Sequence, residues 1–303
     1  EYVPKRGQRI SNYEHTFCLE ALYALKAKTL LYAASPLFNG NAFYSDFKNK
    51  DGELLFNATY DKNKWLLAAE AADKAAEMCV EGGLTLISGA SGKSTKLLNT
   101  MLDIENMTFS RFNNDEYLLE WKYTTSHYKY FLPRLIGDED NYDSQALGCL
   151  SPSMKMVEMY YTENGLPIDA DITWHYANRY KLGSESSPAY EGVIPMNTAV
   201  VNLHLRREPR FYASVAYNGS VWHMLNADIN QKEEKDVQIF YYRGESDGYK
   251  IGTNWLNTGI GIKKFVHPND LSDADKAYDA SRIEAKYAPD IRYAEILLNY
   301  AEA

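Results

Sequence analysis

The chain has 303 residues, 32 basic against 41 acidic, and its formal charge of −9 excludes nucleic acid as a partner because phosphate backbones demand a basic stripe that is absent here. No run approaches the roughly 20 consecutive apolar residues of a membrane span, so no spanning helix is predicted. Three cysteines, Cys18, Cys79 and Cys149, are too few for a disulfide framework, and no two are spaced to share a metal or a redox pair.

Residues 15–40 predict an amphipathic helix with a stripe of Cys18, Leu22, Leu25, Thr29 and Tyr32, widened by Ala21 and Ala33, while Lys26 and Lys28 point away. Ser35-Pro36 ends it, since proline cannot continue the ladder. A polar loop over 39–63 follows, with Asp51-Gly52 as a turn. The next helix places Trp65, Ala69, Ala72, Ala76 and Cys79 on one face and Glu70, Asp73, Lys74, Glu77 and Glu81 on the other. Its small apolar residues invite close approach of the first helix as an antiparallel partner, and Gly82-Gly83 closes it. Glu70 and Asp73 therefore read as solvated surface, not as a catalytic pair. The stretch 88–95 fails as a phosphate loop, because Ile87 stands where the first glycine belongs. It fails as a nucleophile elbow too, because Lys93 replaces the last glycine.

A helix is expected over 95–106 and a strand over 117–123 with Leu118, Glu120 and Lys122 on one side. Asp138, Glu139, Asp140 and Asp143 lack the glycine and distal glutamate of a calcium loop and read as acidic surface. Ser153 caps a helix expected to carry Met154, Val157, Met159 and Tyr160 to a stop at Asn164-Gly165. The segment 169–190 is irregular and aromatic. Trp174, Tyr176 and Tyr190 are its ligand-stacking candidates, because a polar loop has less chance of burying rings than a helix face does. Residues 207–217 read as a strand that turns at Asn218-Gly219 and returns through 220–224, which sets Trp222 opposite Val215. That position favours a core role for Trp222, and it stays among the aromatic candidates. Strands over 237–242 and 259–266 flank a glycine-rich stretch over 244–257. A polar loop over 270–281 precedes a last helix begun by Pro289. The six histidines never fall at helical metal-ligand spacing, so no metal and no cofactor is predicted. No nucleophile, base and orienter set can be assembled either, so no catalytic residue is named. With 25 tyrosines and five tryptophans the composition suits sheet surfaces and also binding surfaces for sugars or peptides.

The phrases ALKAKTLLYAASPLFNG, MVEMYYTENGLPID, EPRFYASVAYNGSVW and IRYAEILLNYAEA, with the Trp65 helix between the first two, resemble the SusD/RagB family of surface lipoproteins. The resemblance implies a mainly α fold of tetratricopeptide-like helix pairs with a large loop-rich region of short strands and hairpins. It divides this single domain into a helical part (1–110), an irregular part (111–287) and the start of a further scaffold helix (288–303). The helix pair here is interrupted, since its members begin about fifty residues apart against a repeat period of about 34. The implied role is non-catalytic capture of an oligosaccharide, or alternatively a peptide, at the outer membrane surface and its transfer to a SusC-like TonB-dependent transporter. The implied N-terminal lipid anchor would precede Glu1, and Cys18, preceded by Phe17, is no substitute. A scaffold binding only protein partners and a glycoside hydrolase are the readings from other classes; the latter needs two carboxylates about 5–10 Å apart across a cleft.

Overall fold

The computed structural model describes residues 3–9, 16–109, 115–122, 130–132, 148–224, 235–245, 247–249, 255–266 and 287–303. The acidic cluster at 138–143 and the polar loop at 270–281 lie outside the described residues. The chain forms two compact units, the first from Glu1–Ile87, Arg111–Lys122 and Tyr287–Ala303, the second from Ser88–Ser110 and Tyr123–Lys286.

In the first unit α1 (Leu19–Ala34) and α2 (Asn63–Glu81) pack antiparallel. Cys18 and Ala21 share a core with Cys79, while Leu31 and Ala34 meet Ala68 at the other end. The seam is made of alanine. Ala21, Ala24, Ala27 and Ala34 face Ala68, Ala71, Ala72 and Ala75, whereas Leu22, Leu25 and Tyr32 of the expected stripe are exposed. Periodicity picks out the larger apolar residues, but closely approaching helices bury small ones and leave the bulky ones at the flanks. α2 is turned in the same sense: Ala68, Ala75 and Met78 are buried with Ala72 and Cys79, while Trp65, Ala69 and Ala76 are half-buried. Burial pushes the Cys79 thiol up to about 12 and raises Cys18 as well, so both are inert core residues.

β1 (Tyr117–Lys122) pairs antiparallel with β8 (Tyr287–Arg292), which leads into α6 (Tyr293–Glu302). α6 packs on α2 and α1 with Ile296 buried, and Glu295 meets Lys28 at 2.7 Å. Pro289 therefore sits inside a strand, opposite Glu120, and the helix begins only at Tyr293. A two-stranded ribbon has two open edges and tolerates a residue without an N–H. Nor does β1 alternate: Tyr117, Leu118, Leu119 and Glu120 are all buried, with the register shifting on both sides of Leu119.

The second unit holds α3 (Lys96–Phe109), α4 (Met154–Glu158) and α5 (Pro209–Ser214) among three two-stranded antiparallel ribbons. These pair β2 (Leu182–Gly183) with β3 (Val200–Val201), β4 (Val215–Ala216) with β7 (Gly261–Ile262), and β5 (Ser220–Met224) with β6 (Lys235–Ile239). The expected 207–224 hairpin does not form. Pro209 occupies the first turn of α5, a place proline favours, and of the expected strand only Val215 and Ala216 lie in a ribbon. Trp222 consequently faces Val237, not Val215. Asn218-Gly219 still turns the chain, with Gly219 at φ 81, while Asn218 Oδ1 accepts from the amides of Tyr241 and Tyr242. α4 is also shorter than expected, ending at Glu158 after the Ser153 hydroxyl caps Met156. Asn164-Gly165 instead closes a separate turn, in which the Thr162 amide donates to Leu166 O.

Candidate functional site

The segment from Asp171 to Arg206 is irregular, yet its backbone is pinned by side chains. The Asp171 carboxylate accepts from the Thr162 hydroxyl at 2.6 Å, Asn164 Nδ2 at 3.0 Å, the Thr173 amide at 2.9 Å and the Thr173 hydroxyl at 2.7 Å. The hydroxyl of Thr162 first, then the other donors, hold it well below the usual carboxylate range, so it stays ionised. Beyond it Trp174 turns inward, only 9% exposed, and its Nε1 donates to Leu205 O at 3.0 Å. The β2–β3 ribbon and a bridge between Glu185 and Met196 fold the loop back on itself.

The result is a cleft of about 340 Å³. Trp174 and Leu205 form its floor. Thr173, His175 and Asn178 line one wall, Ser184, Glu185 and Ser186 the other, and Asn202 and Arg206 close the end. Asn202 is itself fixed by donating Nδ2 to Asn178 O at 3.0 Å. Arg206 has a backbone φ of 53, a strained conformation for a side-chain-bearing residue. Its Nε meets Glu185 Oε2 at 3.1 Å, its Nη1 meets Glu163 Oε1 at 3.5 Å, and its guanidinium lies 5.5 Å from the Tyr190 ring centre. A second, more open cleft of about 550 Å³ holds Tyr190, Leu97, Pro188, Ala189 and Pro209 beside Lys96 and Glu163.

Next to the first cleft, the turn Tyr176–Asn178 presents an aromatic surface. The Arg179 guanidinium sits 4.0 Å from the Tyr176 ring centre and 4.3 Å from that of Tyr180. Glu158 Oε1 accepts from Arg179 Nε at 2.7 Å and from the Tyr180 hydroxyl at 2.5 Å. The Tyr180 hydroxyl first, and Arg179 second, lower the Glu158 pKa. Tyr176 is 37% exposed and Tyr180 56%. Such a three-layer stack is rigid and keeps the outer ring surfaces accessible.

Three of the four aromatic candidates thus meet around one loop system, Trp174 as cleft floor, Tyr176 on the adjoining surface, and Tyr190 beneath Arg206. Trp222 does not join them. It is 2% exposed in a separate core with Ala216, Ile239, Tyr241, Leu256 and Val266, and burial on that scale leaves no face for a ligand. Arg179, Asn202 and the Glu163–Arg206–Glu185 triad are the site features that the sequence reading did not single out. The adjacent aromatic and basic letters at 176–180 were the available signal, but the ion pairs span up to 43 positions and have no local trace. Among the described residues no group of three or more His, Cys, Asp or Glu is placed to hold a metal ion, and no helix is long and apolar enough to cross a membrane.

A family model described as the SusD family matches residues 107–303. The chain belongs to the SusD family. Solved structures agree on the fold of this SusD-family chain. BT4246 superposes with a TM-score of 0.74 at 22% identity, covering 99% of this chain and 52% of that protein. A SusD-like protein from Bacteroides fragilis NCTC 9343, BF3747, gives a TM-score of 0.55 at 17% identity over 99% and 45%. The chain thus spans about half the length of the solved proteins it matches. Comparison with curated proteins gives no match. The SusD-like fold is helix-rich with short strands in small sheets, as the α1–α2 pair and the four ribbons display. The matched stretch excludes α1 and its Ser35-Pro36 exit, and includes the whole first cleft.

Proposed function

We propose that this chain is a non-catalytic binding protein of the outer cell surface that captures an oligosaccharide in the Trp174–Arg206 cleft and passes it to a TonB-dependent outer-membrane transporter. In this reading the mature protein is held to the membrane by an N-terminal lipid. The observation that carries the ligand class is the composition of the cleft: amide, hydroxyl and carboxylate groups from Asn178, Asn202, Ser184, Ser186 and Glu185 surround an indole floor, beside the accessible faces of Tyr176 and Tyr180. Sugars present apolar C–H faces and a rim of hydroxyls, and this pairing answers both. Trp174, Glu185 and Asn202 are already bonded in place, which lowers the ordering cost of binding. Family membership supports the cell-surface role.

Isothermal titration against panels of neutral oligosaccharides and of peptides, run side by side, tests the reading. Oligosaccharide binding is expected, with Tyr176→Ala and Tyr180→Ala each weakening it about tenfold, in line with roughly 1–1.5 kcal/mol for a lost stacking contact. Binding of peptides alone would replace the ligand class. Oligosaccharide affinity unchanged in both variants would move the site elsewhere.

A further inference from the structure

Resting on that reading, we infer that the cleft is selective for uncharged oligosaccharides and discriminates against uronates and other anionic sugars, with Glu163 and Glu185 as the specificity-determining pair. Acidic glycans are recognised by guanidinium or ammonium groups free to form paired bonds with a carboxylate. Here, among the described residues, each guanidinium at the site is already paired with a carboxylate. Arg206, the cation at the end of the cleft, is bracketed by two carboxylates, Glu185 Oε2 on Nε and Glu163 Oε1 on Nη1. Arg179, outside the cleft, gives its Nε to Glu158 and both faces to tyrosine rings.

The local balance is consequently negative. Among the described residues, Arg206 contributes one positive charge against the negative charges of Glu185 in the lining and of Glu163, which lines the neighbouring cleft; Asp171 adds a further carboxylate behind Thr173, and the buried Arg207, 5.6 Å from the Trp174 ring centre, offsets one of the three. The other basic side chain in the lining is His175. Glu185 is buried and its second oxygen accepts from the amides of Ser186 and Ser187, so it cannot swing away to release Arg206. Glu163 lies on the accessible side, with its amide bonded to Arg206 O at 2.9 Å. An anionic sugar would have to displace one of these carboxylates or enter beside them, and like charges at such range repel. A neutral sugar meets the accessible Glu163 carboxylate as a hydrogen-bond acceptor for its hydroxyls.

The test uses the oligosaccharide that the neutral panel identifies, the same oligosaccharide oxidised to carry C6 carboxylates, and the methyl ester of that acid, titrated into the intact chain at pH 8. The acid is expected to bind at least tenfold more weakly than both the neutral form and the ester, with the gap closing as ionic strength rises. Glu163→Gln, a near-isosteric change at an accessible position, is expected to narrow the gap at least threefold. An acid that binds as well as its ester, or a gap that Glu163→Gln leaves unaltered, overturns the inference while the capture function stands. Failure of every oligosaccharide to bind overturns the capture function itself, and the inference with it.

Discussion

Arg207, next in sequence to the cleft arginine, is wholly buried and bonds to no carboxylate. Its guanidinium instead donates to the carbonyls of Val157, Tyr160, Tyr161 and Leu203, which brings the end of α4, the turn after it and the 202–204 turn to one point. Burial pushes its pKa down to about 10, and it stays charged at neutral pH. Removing it takes a donor from four carbonyls, those of Val157 and Leu203 in buried bonds. Arg207→Ala is expected to destabilise the second unit by on the order of 4 kcal/mol, with Arg207→Lys recovering part of the loss; urea denaturation measures both, and a shift below about 1 kcal/mol in the alanine variant would contradict the role. His204 makes a different prediction. It is enclosed and stacked on Tyr217 at 4.6 Å, and burial, aided by Arg207, pushes its imidazole down to about 3 from an ordinary 6.5. The folded chain thus keeps His204 neutral while the unfolded chain takes up a proton below pH 6.5, so its influence is nil above that pH and grows unfavourable below it. Between pH 6 and 4.5 the wild type is expected to lose stability more steeply than His204→Phe, by roughly 1.4 kcal/mol per pH unit. Parallel stability profiles of the two proteins would show that the imidazole is not held neutral.

At the scale of elements, the α1–α2 pair shows how far a hydrophobic pattern can mislead about a face while identifying the helix correctly. Leucines at 22 and 25 dominate any apolar sum, yet the tightest helix seam uses the residues with least volume. Ala24→Leu is therefore expected to cost about 1–3 kcal/mol through overpacking, whereas Leu25→Ala, at an exposed position, stays within about 0.5 kcal/mol. Thermal melts of the two variants decide between the faces, because the leucine stripe read from sequence demands the opposite order. The 207–217 segment misleads in another way. Its aromatic and β-branched letters suit a strand, but Glu208 and Pro209 start a helical turn that buries Phe211, Tyr212 and Ala213 together, and local propensity yields to the core that receives them.

Across the molecule, the helices, the turn residues and the family resemblance were legible in the letters because each depends on neighbours within a few positions, as caps and glycines at positive φ do. The core cysteines Cys18 and Cys79 were legible for the same reason, since they follow from local pattern. Strand partners were not. β1 finds β8 across 165 or more residues, and β5 turns from the nearby β4 to β6, choices made by burial that no short window contains. The candidate site divides along the same line. Trp174, Tyr176 and Tyr190 were marked by aromatic composition in a polar loop, whereas the burial of Trp222 and the Glu163–Arg206–Glu185 bracket are tertiary facts. By itself the sequence determined the helix pair, the loop-rich region and the aromatic loop that builds the cleft. Only the tertiary structure decided which rings stay accessible and which charges are already spent, because exposure and pairing depend on residues brought together from distant positions in the chain.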